Sequence, residues 1–559
     1  MDNYSIADSF SLLAKLMDIH GENSFKSKSY ASAAFAIEKL QVPLHELSVE
    51  KISALKGIGS SSAQKIEELL KTGKLKILED LIQKTPPGVL EMLNIKGIGP
   101  KKINSIWKEM EIESVGELLY ACKENRLKLY KGFGEKTQQN IIDTIEFYNK
   151  HKGSYLYAQV ALIAPEVESF FVKIFPGKQV ALTGLFKRQF EVVNELELLV
   201  EADAATLEST LSVTEGFTLK ERGEGFIMYD TITGIPVKIY PSGNKPFTQS
   251  LIRTSSSEPF YEEWQSTIKE PLTGAKDERE YFEAAGISFI PAPLREAPEL
   301  IELARKGPLP QIIQPEDIRG IIHCHSNWSD GSHSLEEMAA AAINRGLEYL
   351  VISDHSKSAF YAQGLHEEKI REQHRLIDAL NEKLKPFRIF KSIESDILND
   401  GSLDYSDAVL STFDLVIASV HSNLKMTEEK AMARLLKAIE NPYTTILGHM
   451  TGRLLLSRAG YPVNHRLIID ACAANRVVIE LNAHPSRLDI DWRHIRYAIE
   501  KGVLISIDPD AHHTDGMDDT RYGVLVAQKA LVTKENNLSS FSLAQLEAYL
   551  EGLRKQKFS

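Results

Sequence analysis

Apolar residues in the first part of the chain recur at the spacing of α-helices. Over residues 1–150, Leu12, Leu13, Leu16 and Ile19 fit one helical face, and β-branched runs are scarce. Between residues 151 and 240 the pattern changes to alternating, strand-like segments, of which 179–183 and 196–200 are the clearest. The change predicts a helical N-terminal region followed by a mixed α/β region.

From residue 317 onward, short apolar segments alternate with amphipathic stretches. The stretches with helical periodicity cover residues 335–344, 367–383 and 428–440, and a linker rich in Gly and Pro precedes them at 306–310. Alternating strands and helices are typical of a parallel sheet that closes into a barrel. A length of 559 residues is also too great for one core, so we expect three or more structural units.

Three Gly-x-Gly triplets recur in the helical region at intervals of 40 and 35 residues. Gly57-Ile58-Gly59 and Gly97-Ile98-Gly99 each precede an amphipathic run, and Gly132-Phe133-Gly134 is a weaker third copy. Such a loop at a helix N-terminus presents backbone N–H groups that bind a DNA phosphate without reading sequence. Nearby lysines add positive charge: Lys65, Lys101 and Lys102. The repeat predicts DNA-binding hairpins, and helix C-caps in a structural bundle are the alternative.

Histidines and carboxylates follow the apolar segments of the C-terminal region in an order suited to a metal cluster. The carboxyl ends of parallel strands meet at one edge of a sheet, so side chains that follow such strands are expected to lie together. The run consists of His323, His325, Asp330, Asp354, His355, Glu394, His421, His449, Asp510 and His512. Imidazole and carboxylate suit zinc or manganese, and clustered dications activate water and neutralise phosphoryl oxygens. The run therefore predicts a metal-dependent hydrolase of phosphoesters.

With these motifs the chain resembles the bacterial family X DNA polymerases that carry a C-terminal PHP (polymerase and histidinol phosphatase) domain. The match is close at residues 323–331, 353–358, 448–453 and 510–512. The resemblance implies an all-α helix-hairpin-helix N-terminal region, an α+β nucleotidyltransferase-like palm and thumb, and a C-terminal α/β distorted (βα)7 PHP barrel. The implied segments are a lyase-like helical domain (1–85), a second helix-hairpin-helix region or fingers (86–150), a degenerate palm (151–240), a thumb-like region (241–300), a linker (301–316) and the PHP domain (317–559).

The resemblance also implies nine ligands for up to three metal ions. One ion would use His323, His325, Glu394 and Asp510, a second would share Glu394 and add His421 and His449, and the third would use Asp330, His355 and His512. Glu394, His421 and Asp510 are the expected catalytic residues. Asp354 is then a neighbour that orients His355. Arg453 and Arg521 are candidates for contacts with a substrate phosphate, and surface salt bridges are their alternative role.

The palm region departs from the pattern of its family. Glu195 and Glu197 stand where the palm carries two metal-binding aspartates, Leu185 replaces a phosphate-binding serine, and Lys238 aligns with the third aspartate. Mg²⁺ tolerates poor ligand geometry badly, and a lysine turns attraction for the ion into repulsion. We expect a catalytically silent palm without Mg²⁺, in which Lys238 pairs with Glu195 or Glu197. Lys65 also matches the Schiff-base lysine of the family's lyase domain, and a DNA-phosphate contact is its alternative role.

The net charge of −12 is unevenly distributed. Residues 1–150 carry 21 basic and 20 acidic residues, hence +1, which leaves −13 for the remainder. This balance argues against a mainly electrostatic polyanion binder, although a local basic face suffices for DNA. Three widely spaced cysteines, no signal peptide and no long apolar run indicate a cytoplasmic protein without a membrane partner. We expect a monomer.

The leading functional interpretation is a DNA-repair phosphoesterase. It would act as a 3′→5′ exonuclease, or process abasic sites and 3′ ends, on gapped, nicked or 3′-end-containing DNA. Three alternatives stay open at this point: an active gap-filling polymerase with an editing PHP domain, a small-molecule phosphatase, and a non-catalytic DNA-binding scaffold.

Overall fold

A computed structural model gives the fold, and it describes residues 3–38, 40, 42–95, 97–149, 153–268 and 274–558. Lys96, beside the second Gly-x-Gly triplet, lies outside these residues. The chain forms two compact units. The first comprises Met1–Lys123 and Tyr130–Tyr148, and the second comprises Glu124–Leu129 and Asn149–Ser559.

The first unit is helical, as its apolar periodicity predicts. Leu13, Leu16 and Ile19, which were expected on one helical face, are fully buried. Its helices are α1 (Asn3–Ile19), α2 (Ser24–Glu38), α3 (Val49–Ser53), α4 (Ser60–Thr72), α5 (Lys76–Lys84), α6 (Pro87–Glu91), α7 (Pro100–Lys108), α8 (Val115–Lys123) and α9 (Glu135–Asn149).

Each Gly-x-Gly triplet lies at the beginning of a helix. The first glycine of each has a left-handed backbone, with φ of +91° at Gly57 and +94° at Gly97 and Gly132, where other residues are strained. Gly59 and Gly99 are the N-caps of α4 and α7. A glycine has no side chain, so neither N-cap residue caps its own helix. The first two triplets are therefore helix starts, and not C-caps.

The second unit contains a small five-stranded sheet whose strands lie in the order 180–182, 196–200, 237–241, 226–231 and 217–223. The strands Leu196–Val200 and Val237–Pro241 are parallel, and their register places Glu197 opposite Lys238. The elements are β1 (Tyr155–Leu156), α10 (Tyr157–Ala161), α11 (Ala164–Ile174), β2 (Val180–Leu182), α12 (Gly184–Lys187), β3 (Val192–Val193), β4 (Leu196–Val200), α13 (Ala204–Ser212), β5 (Phe217–Gly223), β6 (Phe226–Thr231) and β7 (Val237–Pro241).

A short helical region separates this sheet from the barrel. Its helices pack around Trp264 and Phe282, whose ring centroids are 4.3 Å apart. They are α14 (Phe247–Thr254), α15 (Glu258–Thr267), α16 (Glu278–Ala284) and α17 (Glu299–Lys306). Helix α17 covers the first residues of the predicted linker, and Ile301 is buried in the apolar cluster of this region.

The C-terminal region is a parallel barrel of seven strands in sequential order, as the alternating pattern predicts. Backbone contacts between Cys324 and Ala511 nearly close the seam between the first and last strands. The elements are β8 (Gly320–Cys324), α18 (Leu335–Asn344), β9 (Tyr349–Ile352), α19 (Glu367–Leu384), β10 (Arg388–Asp396), α20 (Asp407–Leu410), β11 (Leu415–Ser419), α21 (Glu428–Ile439), β12 (Ile446–Leu447), α22 (His465–Asn475), β13 (Val478–Asn482), α23 (Trp492–Glu500), β14 (Ile505–Asp508), α24 (Thr520–Gln528) and α25 (Leu543–Lys557).

The strands of the barrel are buried on both sides, which explains their near-continuous apolar sequences. Every residue of β8, β9, β11, β13 and β14 is buried. Among the described residues, no helix combines the length and apolar content needed to cross a membrane.

Replacing two helical glycines of the barrel region by alanine should have opposite effects on stability. In α24, a Cβ added at Gly523 would lie 2.6 Å from Ala483 and Ile507 side chains, whereas a Cβ at Gly552 in α25 meets nothing within 4 Å. We expect Gly523→Ala to lower the free energy of unfolding by about 1–3 kcal/mol through overpacking. Gly552→Ala should raise it by about 0.5–1 kcal/mol because alanine favours helix. Denaturant unfolding of both variants checks this, and equal effects would contradict it.

Candidate metal centre

The residues predicted as ligands converge at the carboxyl ends of the barrel strands. The rings and carboxylates are buried, and none of the nine side chains is more than about 5% exposed. His323 lies on β8 and Glu394 on β10, while His355, His421, His449 and Asp510 follow β9, β11, β12 and β14. The prediction that they gather at one edge of the sheet is therefore correct.

Glu394 is the centre of this cluster. Its Oε1 atom is 2.9 Å from Nε2 of His421 and 2.9 Å from Nε2 of His449, and 3.3 Å from Nε2 of His323. Its Oε2 atom is 2.9 Å from Nδ1 of His355 and 3.7 Å from Nε2 of His325. One carboxylate thus lies among five imidazoles, which is the arrangement expected of a ligand that bridges ions.

Two further carboxylates define the rest of the cluster. Asp510 Oδ1 is 3.1 Å from Nε2 of His325 and 3.4 Å from Nε2 of His323. Asp330 is 3.4 Å from Nε2 of His512 and 3.5 Å from Nε2 of His355.

Three overlapping groups have donor atoms close enough to share a metal ion. The donor atoms within each group lie within 4.8 Å of one another. The groups are His325, Asp330, His355 and His512; His323, His325 and Asp510; and His355, Glu394 and His421. They differ from the predicted assignment in four ways. His325 also joins the Asp330 group and His355 joins the Glu394 group, whereas Glu394 is absent from the His323 group and His449 from the Glu394 group. The assignment of individual ligands to ions stays a prediction.

Unpartnered polar atoms test whether this donor set fits metal ions. Buried polar atoms in proteins are nearly always paired, because an unpaired one costs the full desolvation penalty. Among the described residues, the cluster atoms that make no hydrogen bond of good geometry include His323 Nε2, His355 Nδ1 and Nε2, Glu394 Oε2, Asp330 Oδ2 and His512 Nε2. All of these are good donors to zinc or manganese. The residues therefore fit a multinuclear metal site.

The backbone at two predicted ligands is strained. His323 and Asp510 have φ of +58° and +54°, a left-handed conformation that costs about 1–3 kcal/mol at such residues. The ladder between β8 and β9 also shifts register between Ile321 and Cys324. His325 lies beyond the end of β8. The rings of His323 and His325 thus converge through a distorted strand end.

Asp354 has a different role from the one predicted. It accepts hydrogen bonds from the Ser326 backbone (2.8 Å) and hydroxyl (2.7 Å), the Ser329 hydroxyl (2.6 Å) and the Gln373 amide (2.6 Å). These bonds fix the loop that carries His325 and Asp330. Asp354 therefore orients a ligand loop, and it makes no described bond to the His355 ring.

Two carboxylates that the sequence did not suggest hold ligand rings from behind. Glu480 on β13 is fully buried, contacts Nδ1 of His323 and accepts the backbone N–H of His449 at 2.6 Å. Asp396 at the end of β10 contacts Nδ1 of His421. Carboxylates at this position fix the tautomer and orientation of an imidazole ligand. The sequence offered one indication of Glu480, because it is a lone glutamate in the apolar strand Val478–Asn482 and a buried glutamate is expected to have a partner.

Burial and close charges shift the pKa values of histidines within the cluster. Burial and the neighbouring His512 and His355 lower the pKa of His325 to about 3, so its ring is neutral and able to coordinate. Burial favours neutral His421 as well, but Glu394 and Asp396 outweigh it and raise the pKa of His421 to about 9. In the metal-free protein, His421 therefore keeps a proton at neutral pH.

The predicted phosphate-contact arginines lie in different environments. Arg453 is 13% exposed, is 2.8 Å from Asp491 and donates to the carbonyls of Arg487 and Leu488. Arg521 is exposed and donates to the Tyr522 hydroxyl at 2.8 Å. Arg453 thus has the structural partners of its alternative role, and the phosphate contact stays a prediction for both.

Comparisons with known proteins agree with this division of the chain. Family models match residues 1–75 as a helix-hairpin-helix domain, 89–146 as a SAM-like helix-hairpin-helix tandem and 322–484 as a PHP domain. The DNA polymerase/3′-5′ exonuclease PolX of Bacillus subtilis (strain 168) is 31% identical over 96% of this chain and 97% of its own length. The chain belongs to the bacterial PolX family.

Other relatives match less than half of this PolX family member. A probable phosphatase of Thermoanaerobacter sp. (strain X514) is 24% identical over 42% of the chain and 95% of its own length. A probable phosphatase of Caldanaerobacter subterraneus subsp. tengcongensis is 26% identical over 43% of the chain and 94% of its own length. Less than half of the chain is thus similar to nearly the whole length of proteins named as probable phosphatases.

In this PolX family member, a buried carboxylate of the region predicted as a degenerate palm lies against the start of α12. Glu197, 7% exposed, accepts the backbone N–H of Leu185 at 2.8 Å and the Tyr240 hydroxyl at 2.6 Å. Its carboxylate lies against Gly184, where an added Cβ would come within 1.7 Å of it. Lys238 Nζ is 3.7 Å from Glu195, so one of the two predicted ion pairs is present.

The predicted DNA-binding lysines lie near the hairpin loops of the first unit. Lys101 is exposed, and Lys102 Nζ is 5.6 Å from the Phe133 ring centroid. Lys65 is 31% exposed and is 2.5 Å from Glu68, three residues away. The Lys65 amine is therefore engaged in a local ion pair, and its role toward DNA stays a prediction.

Glu480→Gln tests the carboxylate behind His323. The amide keeps the size but removes the charge that orients and polarises the ring, so we expect about 10- to 100-fold weaker metal binding. Competitive titration of the metal-free protein with a chromophoric zinc chelator measures this affinity. The control is Glu368→Gln, which changes an exposed glutamate of α19. Unchanged affinity in Glu480→Gln would contradict the assignment.

Metal binding should release protons at neutral pH. Because the pKa of His421 is about 9, an ion that uses this ring displaces a proton below that pH. The apparent affinity should therefore fall as pH is lowered, by about tenfold per pH unit for each proton displaced. Calorimetric titration with Mn²⁺ at pH 7.5, in buffers of different ionisation enthalpy, counts the protons. Binding without proton release would contradict the expectation.

Proposed function

We propose that the protein is a metal-dependent 3′→5′ exonuclease of DNA whose active site is the histidine–carboxylate cluster of the barrel. The observation that carries the proposal is the single carboxylate of Glu394 among five imidazoles, with unpartnered donor atoms around it. The similarity to a Bacillus subtilis protein named as a DNA polymerase/3′-5′ exonuclease supports this reaction and substrate.

The proposed reaction is hydrolysis of a phosphodiester at a DNA 3′ end. Zinc or manganese, up to three ions, would activate water and neutralise the phosphoryl oxygens when bound. The nine buried side chains would hold the ions. Glu480, Asp396 and Asp354 keep rings and ligand loop in place, and the barrel wall excludes bulk water from the cluster. Glu394, His421 and Asp510 are the proposed catalytic residues.

We propose that the helix-hairpin-helix repeats bind the DNA backbone. The uncapped N–H groups after Gly59 and Gly99, with Lys101 and Lys102 close by, support this role. The preferred DNA would carry a gap, a nick or a free 3′ end. The domain boundaries given by the sequence, a monomeric state and a cytoplasmic location are part of the same proposal.

We further propose that the palm does not add nucleotides. Its backbone donor at Leu185 is occupied by Glu197, and a bound phosphate would have to displace that carboxylate. Lys238 places a positive charge 3.7 Å from Glu195, where the family carries metal ligands. Both observations disfavour the alternative of an active gap-filling polymerase.

A labelled primer on a gapped template tests both parts of the proposal. With Mn²⁺, the wild-type protein should shorten the primer, and deoxynucleotides should not lengthen it. His323→Ala should lower shortening at least about 100-fold, because even residues behind the ligands contribute about 10- to 100-fold. The control His366→Ala changes an exposed histidine at the start of α19 and should retain full activity.

The outcomes separate the alternatives. If the wild type lengthens the primer when deoxynucleotides are present, without the substitution Lys238→Asp, the proposal of a silent palm is overturned. A primer that stays unchanged under both conditions would overturn the exonuclease, and hydrolysis of a small phosphate ester stopped by His323→Ala would then identify a phosphatase.

A further inference from the structure

A short segment of the chain packs in the second unit although its sequence neighbours belong to the first. The segment is Glu124–Leu129, between α8 and the residues that lead into α9. Leu127 is fully buried, and the Asn125 amide donates to the Ser332 hydroxyl at 2.8 Å. Asn125 has φ of +57°, a conformation that asparagine adopts more readily than most residues. Specific contacts therefore hold this segment against the barrel.

Glu124 contributes a carboxylate to the metal centre from outside the barrel sequence. It is 3% exposed and contacts Nδ1 of His512, which also lies 2.9 Å from the Asp510 carbonyl. The opposite ring atom, Nε2 of His512, is 3.4 Å from Asp330. Glu124 Oε1 is 3.9 Å from Nε2 of His484. The carboxylate thus lies behind the His512 ring and leaves the metal-facing nitrogen open.

A similar arrangement occurs twice within the barrel. There the carboxylate is hydrogen-bonded to Nδ1, whereas Nδ1 of His512 is hydrogen-bonded to the Asp510 carbonyl and makes an ion-pair contact with Glu124. Glu480 lies behind His323 and Asp396 behind His421, each at Nδ1, with Nε2 facing Glu394. His512 is the third ring with a carboxylate at Nδ1, and its carboxylate comes from the segment 124–129.

Arg126 provides a second contact between the segment and the same group of ligands. Its Nε atom is 3.9 Å from Asp330 Oδ2, and its guanidinium lies 4.9 Å from the Tyr361 ring centroid. The segment therefore contacts both Asp330 and His512, two of the three ligands predicted for the third ion.

We propose that Glu124 is a positioning residue of the metal centre. A carboxylate at Nδ1 fixes the proton on that nitrogen, directs Nε2 toward the ion and increases the basicity of the ligand. Binding of an ion by Asp330, His355 and His512 and docking of the segment 124–129 then favour each other, because linkage is reciprocal. The inference rests on the metal centre of the proposed function, but not on its exonuclease activity.

Metal stoichiometry tests the role of Glu124. The metal-free wild type, Glu124→Gln and Glu124→Ala are dialysed against graded Mn²⁺, and bound ions are counted by plasma mass spectrometry. We expect one ion to bind about 10- to 100-fold more weakly in both variants, with the remaining ions unaffected. Glu135→Gln, an exposed glutamate of α9, is the matched control. Loss of all ions together with a lower melting temperature of the metal-free variant would indicate a merely structural role and overturn the proposal.

Hydrogen exchange tests the coupling in the other direction. Mn²⁺ should slow exchange at the amides of residues 124–129 in the wild type, and this protection should be lost in Asp330→Asn. Unchanged exchange on adding Mn²⁺ to a protein that binds it would overturn the coupling. Normal binding of every ion by Glu124→Gln, with faster DNA hydrolysis, would instead show that the segment blocks the site. Full metal binding without any DNA hydrolysis in the wild type would overturn the proposed function and leave this inference intact.

Discussion

The architecture of the barrel depends on one electrostatic constraint, the burial of several carboxylates and imidazoles in a space closed to water. An isolated buried charge costs many kcal/mol, so such groups persist only when they are paired or bind an ion. Glu394 meets this constraint by contacts with five rings, Asp510 by contacts with three and Asp330 by contacts with two. The left-handed backbone at His323 and Asp510 is a further cost of bringing these groups together.

Much of this arrangement could be predicted from the sequence because its determinants are local. A buried parallel strand has an apolar sequence, and a ligand that follows it stands out as the first polar residue, as His449 does after β12. The Gly-x-Gly helix starts are local in the same way, since a positive φ at Gly57 or Gly97 needs only the glycine itself. The apolar periodicity and the positions of the glycines were therefore sufficient to predict the barrel and the helical repeat.

Contacts that depend on tertiary structure could not be predicted. Glu480 lies 157 residues from His323 and Glu124 lies far upstream of His512, so no spacing rule relates either carboxylate to its ring. The role of Asp354 was misjudged for a similar reason. Its neighbour in sequence is His355, but its partners are Ser326, Ser329 and Gln373, which the fold brings from two other segments. Adjacency in the chain was a poor guide to adjacency in space.

The buried carboxylates of the palm and of the barrel differ in their hydrogen bonding. Glu197 in the palm is satisfied within the chain, by the Leu185 N–H and the Tyr240 hydroxyl, and Lys238 partly neutralises the neighbouring Glu195. Among the described residues, the barrel instead leaves donor atoms of Glu394, Asp330 and several histidines close to one another but without hydrogen bonds of good geometry. A site that has replaced its ligands by internal hydrogen bonds gains little from binding an ion, whereas a site with unpaired buried donors is stabilised by one. Both regions contain acidic residues, so residue type alone does not distinguish them. The hydrogen bonds of the carboxylates do: they are satisfied within the chain in the palm and are left open for a metal ion in the barrel.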